Sequence, residues 1–175
     1  DRLLTPHKIP QMKGFNIHEV LEQIRSVILA EFSSGLRIER DYDLSLPEIL
    51  GDKQQITQAF LNVARNAAQA LCGKGLIKIT TRVARRVTLA NQFFKLGLFI
   101  EISDNGPGIP KSLIDKIFFP LVSGKNDGSG LGLSLSQTFI SHHSGTIDVE
   151  SQPGNTCFTV LIPIKSTQHL GEHTN

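Results

Sequence analysis

The most informative segment for the fold is Ala59-Phe-Leu-Asn-Val-Ala-Arg-Asn-Ala-Ala-Gln-Ala-Leu71. Only four of its residues are polar. These are Asn62, Arg65, Asn66 and Gln69, and their i, i+3, i+4, i+7 spacing places them on one stripe of a helix. Such a stripe fits the solvated face of an amphipathic helix. Asparagine is a poor helix former, however, and its carboxamide oxygen can ligate a hard cation such as Mg²⁺. The segment therefore predicts a helix whose polar face is either solvated or part of a cation site.

A glycine turn follows an apolar strand predicted at residues 98–102. It reads Asp104-Asn-Gly-Pro-Gly-Ile-Pro110. Gly106 and Gly108 permit a positive φ and lack the Cβ that would block a flat ring, and a carboxylate at a strand end can accept a hydrogen bond from an exocyclic amine. An ordinary Asp/Asn-Gly-Pro loop is the alternative interpretation.

A second glycine cluster, Gly128-Ser-Gly-Leu-Gly132, leads from the polar loop 123–127 into an apolar helix. Backbone amides at a helix start can face a phosphate, assisted by the helix dipole, and Lys125 can add a positive charge. The cluster is not a dinucleotide fingerprint, because no strand precedes it, and the chain has no P-loop motif. A flexible glycine hinge is the alternative.

The remaining elements follow from periodicity and turn residues. Asn16 is expected to cap a first helix, a short strand is predicted at 36–42, and Asp52 is expected to cap the central helix, which runs to Leu71. Further predictions are an antiparallel pair at 77–89 and 94–103, helices at 112–118 and 131–143, and a closing hairpin at 145–150 and 156–164. We therefore expect an α/β (α+β) two-layer sandwich, with one mixed, largely antiparallel sheet and helices on one face.

Length and composition limit the classes of function. The 175 residues, with a net charge of +2, fit one globular domain and lack the clustered basic face of a nucleic-acid-binding protein. Cys72 and Cys157 have neither disulfide-framework nor zinc-site spacing, which favours a cytoplasmic setting. No apolar run approaches the roughly 20 residues that cross a bilayer, and no signal peptide is present at the start. No membrane contact is expected.

The chain opens without Met and is interpreted as an excised domain. Proline and glycine punctuate its first residues, so 1–14 are predicted to be a linker and the tail of a preceding dimerisation helix. Residues 15–165 form the predicted domain, and 166–175 a flexible C-terminal tail.

Taken in order, these segments resemble the ATP-binding domain of sensor histidine kinases, within the wider group that includes gyrase, Hsp90 and MutL. The resemblance covers residues 16–165 and implies a Bergerat-type ATP-binding fold with ATP and Mg²⁺ as cofactors. It rests on four motifs: an N box (Asn62, Asn66), a first glycine box (Asp104, Gly106, Gly108), Phe118-Phe119-Pro120, and a second glycine box (Gly128, Gly130, Gly132).

The resemblance also implies residue roles. Asn66 would ligate Mg²⁺, Asn62 would lie by the phosphates, Asp104 would bind the adenine amine, and residues 123–132 would form the ATP lid. Gln69 stands where many such kinases carry Lys or Arg. The implied nucleotide-binding residues are Asn62, Arg65, Asn66, Asp104, Gly106, Gly108, Ile109, Ser123, Lys125, Gly128, Gly130, Leu131 and Gly132.

Three further stretches, at residues 41–48, 120–125 and 143–147, are similar to the nitrogen-regulation branch of these kinases. This similarity implies three partners: the dimerisation hairpin of a full-length homodimer, an NtrC-like response regulator and a PII-like signalling protein.

The family's phosphoacceptor histidine lies in an H box on that separate hairpin. None of the six histidines (His7, His18, His142, His143, His169 and His173) has this context, and the adjacent His142 and His143 are predicted to be solvated or capping residues. No catalytic residue is therefore expected in the chain itself. The expected function is to bind ATP-Mg²⁺ and donate its γ-phosphate to that histidine. A gyrase-like or Hsp90-like ATPase, or a degenerate nucleotide-binding interaction module, are the alternatives. Asn62 argues against the ATPase. The related ATPases have at this position a Glu that activates water, and an amide cannot act as a general base.

Overall fold

The computed structural model describes residues 9–120 and 132–165. Its elements, in chain order, are β1 (Lys13–Phe15), α1 (Ile17–Glu31), β2 (Leu36–Asp41), β3 (Ile49–Gly51), α2 (Lys53–Ala70), β4 (Gly75–Leu89), β5 (Gln92–Asp104), α3 (Lys111–Ile114), α4 (Gly132–His142), β6 (Thr146–Gln152) and β7 (Asn155–Pro163). No helix within these residues is both long and apolar enough to cross a membrane.

The main sheet has five strands in the order β2-β4-β5-β7-β6. The β2–β4 pair is parallel, and the other three pairs are antiparallel. A separate antiparallel pair joins β1 to β3. The predicted mixed, largely antiparallel sheet is therefore confirmed.

The helices cover one face of this sheet. Inward residues alternate along the strands, as a half-buried sheet requires, and those of β5 are almost fully buried, whereas outward residues such as Phe99 and Thr159 stay partly exposed. Helices α1 and α2 contribute the other half of the core with side chains such as Leu21, Ile24 and Phe60. The two-layer arrangement predicted from the sequence is confirmed.

Both predicted helix caps are present. The Asn16 carboxamide oxygen accepts from the His18 N–H at 2.9 Å, and the Asp52 carboxylate accepts from the Gln54 and Gln55 N–H groups at 3.0 and 3.1 Å. Each bond satisfies a donor that the first turn of a helix leaves unpaired.

Three local predictions differ from the structure. Lys13 and Gly14, expected in a linker, belong to β1, and its partner β3 was not predicted at all. Strands of three residues carry too little alternation to detect, and these two form only because they pair with each other across the sequence. The helix expected at 112–118 is α3, which ends at Ile114.

His143, directly after α4, is buried between α4 and the start of α2. Its Nδ1 lies 2.7 Å from the Phe139 carbonyl oxygen, and its Nε2 lies 2.9 Å from the Asp52 amide nitrogen. Because a carbonyl only accepts and an amide N–H only donates, the ring is the neutral Nδ1–H tautomer. His143 therefore caps α4, as predicted, but only its exposed neighbour His142 is solvated.

We expect the fold to lose stability as the pH falls below about 6.5, the unfolded-state pKa of histidine. Burial lowers the pKa of His143, against the opposing effects of the Phe139 carbonyl and the Asp52 charge. Between the two pKa values, the unfolded chain therefore binds a proton at this histidine that the folded chain does not bind. The stability present above the unfolded pKa is lost as the pH falls toward the folded pKa. Thermal unfolding between pH 7.5 and 5.5 measures this.

His143→Gln should flatten the pH dependence and lower the melting temperature at pH 7.5, since it removes the bond to the Asp52 amide. His142→Gln, which changes the exposed neighbour, is the matched control and should change the pH profile much less, since burial and not His142 is the main cause of the lowered His143 pKa. Equal profiles for wild type and His143→Gln would contradict the assignment.

Candidate functional site

Asn62 joins the middle of α2 to the first residue of α4. Its Nδ2 donates to the Gly132 carbonyl oxygen at 2.9 Å, and its Oδ1 accepts from Gln58 Nε2 at 2.7 Å. The orientation of the carboxamide is fixed by chemistry, because a backbone carbonyl can only accept. The N box and the described end of the second glycine box are thus in direct contact.

The first glycine box lies against the other end of the same helix. A Cβ added to Gly106 would lie 3.3 Å from Leu71 Cδ2 and 3.7 Å from the Ala70 carbonyl oxygen. Asn62 and Ala70 are eight residues apart, which is about 12 Å along a helix, and Asn66 lies midway between them. The structure therefore brings the first glycine box and Gly132 to α2, on either side of the predicted Mg²⁺ ligand.

Asp104 ends β5 as a buried carboxylate, with 5% of its surface exposed. Its Oδ1 accepts from the Gly106 N–H at 2.9 Å, so the turn folds back onto the acid. A buried carboxylate at the end of a strand is suited to accept a hydrogen bond from a polar ligand, because burial strengthens the interaction.

Sequence reasoning missed Thr156, which is paired with Asp104 in the sheet register and is 4% exposed. Its hydroxyl lies 2.7 Å from Ser151 Oγ. The sequence did contain a signal for this residue. Thr156 lies on the same inward face of β7 as Phe158 and Val160, so a polar side chain occupies a position where the alternation predicts an apolar one. Thr156 is therefore a further candidate for the site.

The β6–β7 turn holds the first glycine box in place. Gly108 has a φ of 89°, and an added Cβ would lie 2.9 Å from the backbone C and O of Gln152. Next to it, the Ile109 N–H donates to Ser151 Oγ at 2.8 Å. The close backbone approach at Gly108 requires glycine for packing, which is a different reason from the open space for a flat ring inferred from the sequence.

Arg65, predicted to contact nucleotide, forms a bidentate ion pair with Glu31 at the end of α1, with N–O distances of 2.7 and 3.0 Å. The planar guanidinium suits this two-point contact, although half-exposed pairs of this kind contribute only about 0.2–1 kcal/mol. The structure therefore directs the guanidinium toward α1, and its nucleotide contact stays a prediction.

A family model described as "Histidine kinase-, DNA gyrase B-, and HSP90-like ATPase" matches residues 51–166, which include α2, both glycine boxes and the β6–β7 hairpin. The chain belongs to this family.

Curated relatives agree with that assignment, and solved structures share the fold. The sensory histidine kinase/phosphatase NtrB of Vibrio alginolyticus is 49% identical over 166 residues, which are 94% of this chain and 47% of the relative. The chain thus spans about half the length of the curated relatives it matches. The nucleotide-free catalytic domain of the histidine kinase ThkA has a TM-score of 0.72 and 26% identity, covering 88% of this chain and 96% of that one. ThkA in complex with the response regulator protein TrrA also matches, with a TM-score of 0.72, 22% identity, and coverage of 94% of this chain and 45% of that one.

Part of the predicted second glycine box lies outside the described residues. Five predicted nucleotide-binding residues lie outside the described residues: Ser123, Lys125, Gly128, Gly130 and Leu131. Their roles stay predictions. Gly132 is described, and a Cβ added there would make ordinary contacts with Asn62, the nearest at 3.8 Å.

The residues present fit a nucleotide that carries its own metal. Within 9–120 and 132–165, no three His, Cys, Asp or Glu side chains group to hold an ion. Mg²⁺ commonly keeps several waters and binds to one or two protein oxygens and to substrate phosphates. The Asn66 carboxamide, on α2 between the contacts of Gly132 and of the first glycine box, could supply such an oxygen.

We expect the two glycines to respond differently to alanine. Gly108→Ala should lower stability by about 2 kcal/mol or more, because it combines a positive φ with a backbone clash. Gly132→Ala should leave stability unchanged or slightly higher, because its Cβ fits and alanine favours helix. Thermal or urea unfolding of both variants checks this, and a Gly132→Ala protein as unstable as Gly108→Ala would contradict it.

Proposed function

We propose that this chain binds ATP with Mg²⁺ and presents the γ-phosphate to a histidine on a separate dimerisation hairpin of a two-component sensor kinase. The observation that carries the proposal is the convergence on α2, where Asn62 touches Gly132 and the turn after Asp104 packs against Ala70 and Leu71. A single elongated ligand about as long as ATP would span that stretch of helix.

Each group has a distinct role in this proposal. Asp104, buried beside Thr156, would accept from the exocyclic amine of adenine. Asn66 would donate an oxygen to Mg²⁺, and the start of α4 would face the phosphates, where the helix dipole favours negative charge. Transfer would then rely on positioning and electrostatics, as in phosphoryl transfer generally.

Asn62 favours transfer to a protein over hydrolysis. An amide cannot take a proton from water, and both polar atoms of this side chain already have partners. A gyrase-like or Hsp90-like ATPase is therefore the weaker candidate.

The proposed context comes from the relatives. NtrB of Vibrio alginolyticus is named a sensory histidine kinase/phosphatase, and ThkA was solved with a response regulator. We extend both to this chain: an NtrC-like response regulator, a PII-like signalling protein, a role in nitrogen regulation and a cytoplasmic location. Residues 15–165 would be the catalytic domain, with 1–14 leading from the hairpin and 166–175 forming a tail.

The test is reconstitution. The chain is mixed with [γ-³²P]ATP, Mg²⁺ and a helical hairpin carrying an H box from an NtrB-type kinase. Acid-labile phosphohistidine should appear on the hairpin and not on this chain alone. Label on the isolated chain, or steady phosphate release well above background, would contradict the proposal.

Asn66→Ala should remove the Mg²⁺-dependent part of nucleotide stabilisation. ATP-Mg²⁺ at about one hundred times its Kd should stabilise the wild-type chain by about 2.7 kcal/mol, a melting shift of roughly 5–11 °C at this size. ATP with EDTA measures the metal-independent part. The variant's shift should be the same with and without Mg²⁺, and a full wild-type response in the variant would remove Asn66 from the metal site.

A further inference from the structure

Ser136 is a fully buried polar residue on α4 that faces α2. Its side chain is 0% exposed, and its Oγ lies 2.7 Å from the Ala59 carbonyl oxygen of α2 and 3.1 Å from the Gly132 carbonyl oxygen of its own helix. Its single hydroxyl proton goes to the nearer acceptor, Ala59. The hydroxyl therefore forms a bond between two helices, where a serine in a helix more often bonds only within its own helix.

Asn62 makes a second bond from α2 to the same turn of α4, since it donates to the Gly132 carbonyl. Gly132 and Ser136 are one helical turn apart, so the two bonds hold the beginning and the end of that turn. The other end of α4 is fastened separately, by His143 to Asp52 and by His142 to Gln55.

We propose that Ser136 is a positioning residue for nucleotide: together with Asn62 it fixes the first turn of α4 over α2, and so sets the gap between the Gly132 backbone and the Asn66 side chain. This inference rests on the proposed function, because it takes the phosphates and their Mg²⁺ to occupy that gap. Ser136 itself touches no ligand in this account.

Ser136→Ala should fold. The Ala59 carbonyl keeps its helical N–H partner, and the Gly132 carbonyl keeps the bond from Asn62, so the substitution leaves no buried polar group unsatisfied. The loss should therefore appear in the placement of the turn. Thr138→Val is the matched control: it deletes a hydroxyl of α4 that bonds only to the Ser134 carbonyl of the same helix, at an exposed position.

Calorimetric titration of the whole chain with ATP-Mg²⁺ and with adenosine separates positioning from general damage. Ser136→Ala should weaken ATP-Mg²⁺ binding about fivefold, because binding must then hold in place a turn that the hydroxyl, worth about one net hydrogen bond, no longer holds, and should leave adenosine binding within about twofold. Thr138→Val should change neither. Ser136→Cys, which keeps a weaker donor, should fall between Ser136→Ala and wild type.

A second measurement follows the turn directly. Hydrogen exchange in Ser136→Ala should be faster in the first turn of α4 and unchanged in its last turn, which His143 holds. In an Asn62→Ala background, Ser136→Ala should add little further loss of ATP affinity, because both side chains act through one turn.

The outcomes separate the two proposals. A wild-type chain that binds no ATP-Mg²⁺ would overturn the proposed function. A wild-type chain that binds it, with Ser136→Ala either unaffected or weakened equally for ATP and adenosine, would overturn the positioning role alone. A full fivefold loss on top of Asn62→Ala would also overturn it.

Discussion

The position of α2 is the constraint on which the site depends. Seven of its residues are buried, and four of these are alanines, so the helix packs closely with small side chains against α1, α4, β4 and β5. Its polar residues are thereby turned away from the core. Asn62, Asn66 and the C-terminal turn of the helix lie at a fixed spacing, and Gly132 and the first glycine box contact this helix at its middle and at its end. A shift of α2 would move every part of the candidate site together.

Gly108 and Gly132 differ in what the folded protein requires at their positions. Gly108 is required by the folded protein, because its backbone is left-handed and meets the backbone of Gln152. Gly132 is not required by any described contact, since a methyl group there would touch Asn62 at an ordinary distance. The described contacts therefore explain the glycine at position 108 and do not explain the glycine at position 132.

Elements with a regular local pattern of apolar residues could be predicted from the sequence, whereas contacts between residues far apart in the chain could not. Helices α1, α2 and α4 and the long hairpins carry many periods of apolar alternation, so their positions were predicted closely, as were the caps at Asn16 and Asp52. The β1–β3 pair, the Thr156 partner of Asp104 and the Ser136 bond to Ala59 each join residues far apart in the chain. A buried polar residue at an inward position is visible in the sequence, but its partner is known only once the strands and helices are assembled.

Asn62 has two properties that cannot be separated. As an amide it lacks the basicity to activate water, which in the proposed reaction preserves the phosphoryl group for a protein acceptor. As a donor it also holds the Gly132 carbonyl at the start of α4. A glutamate at this position would supply a base, but its carboxylate would face that carbonyl as acceptor against acceptor, and the bond to α4 would be lost. In the proposed reaction, the residue that disfavours hydrolysis would therefore also hold the start of α4 against α2, and a hydrolytic variant would need another anchor for α4.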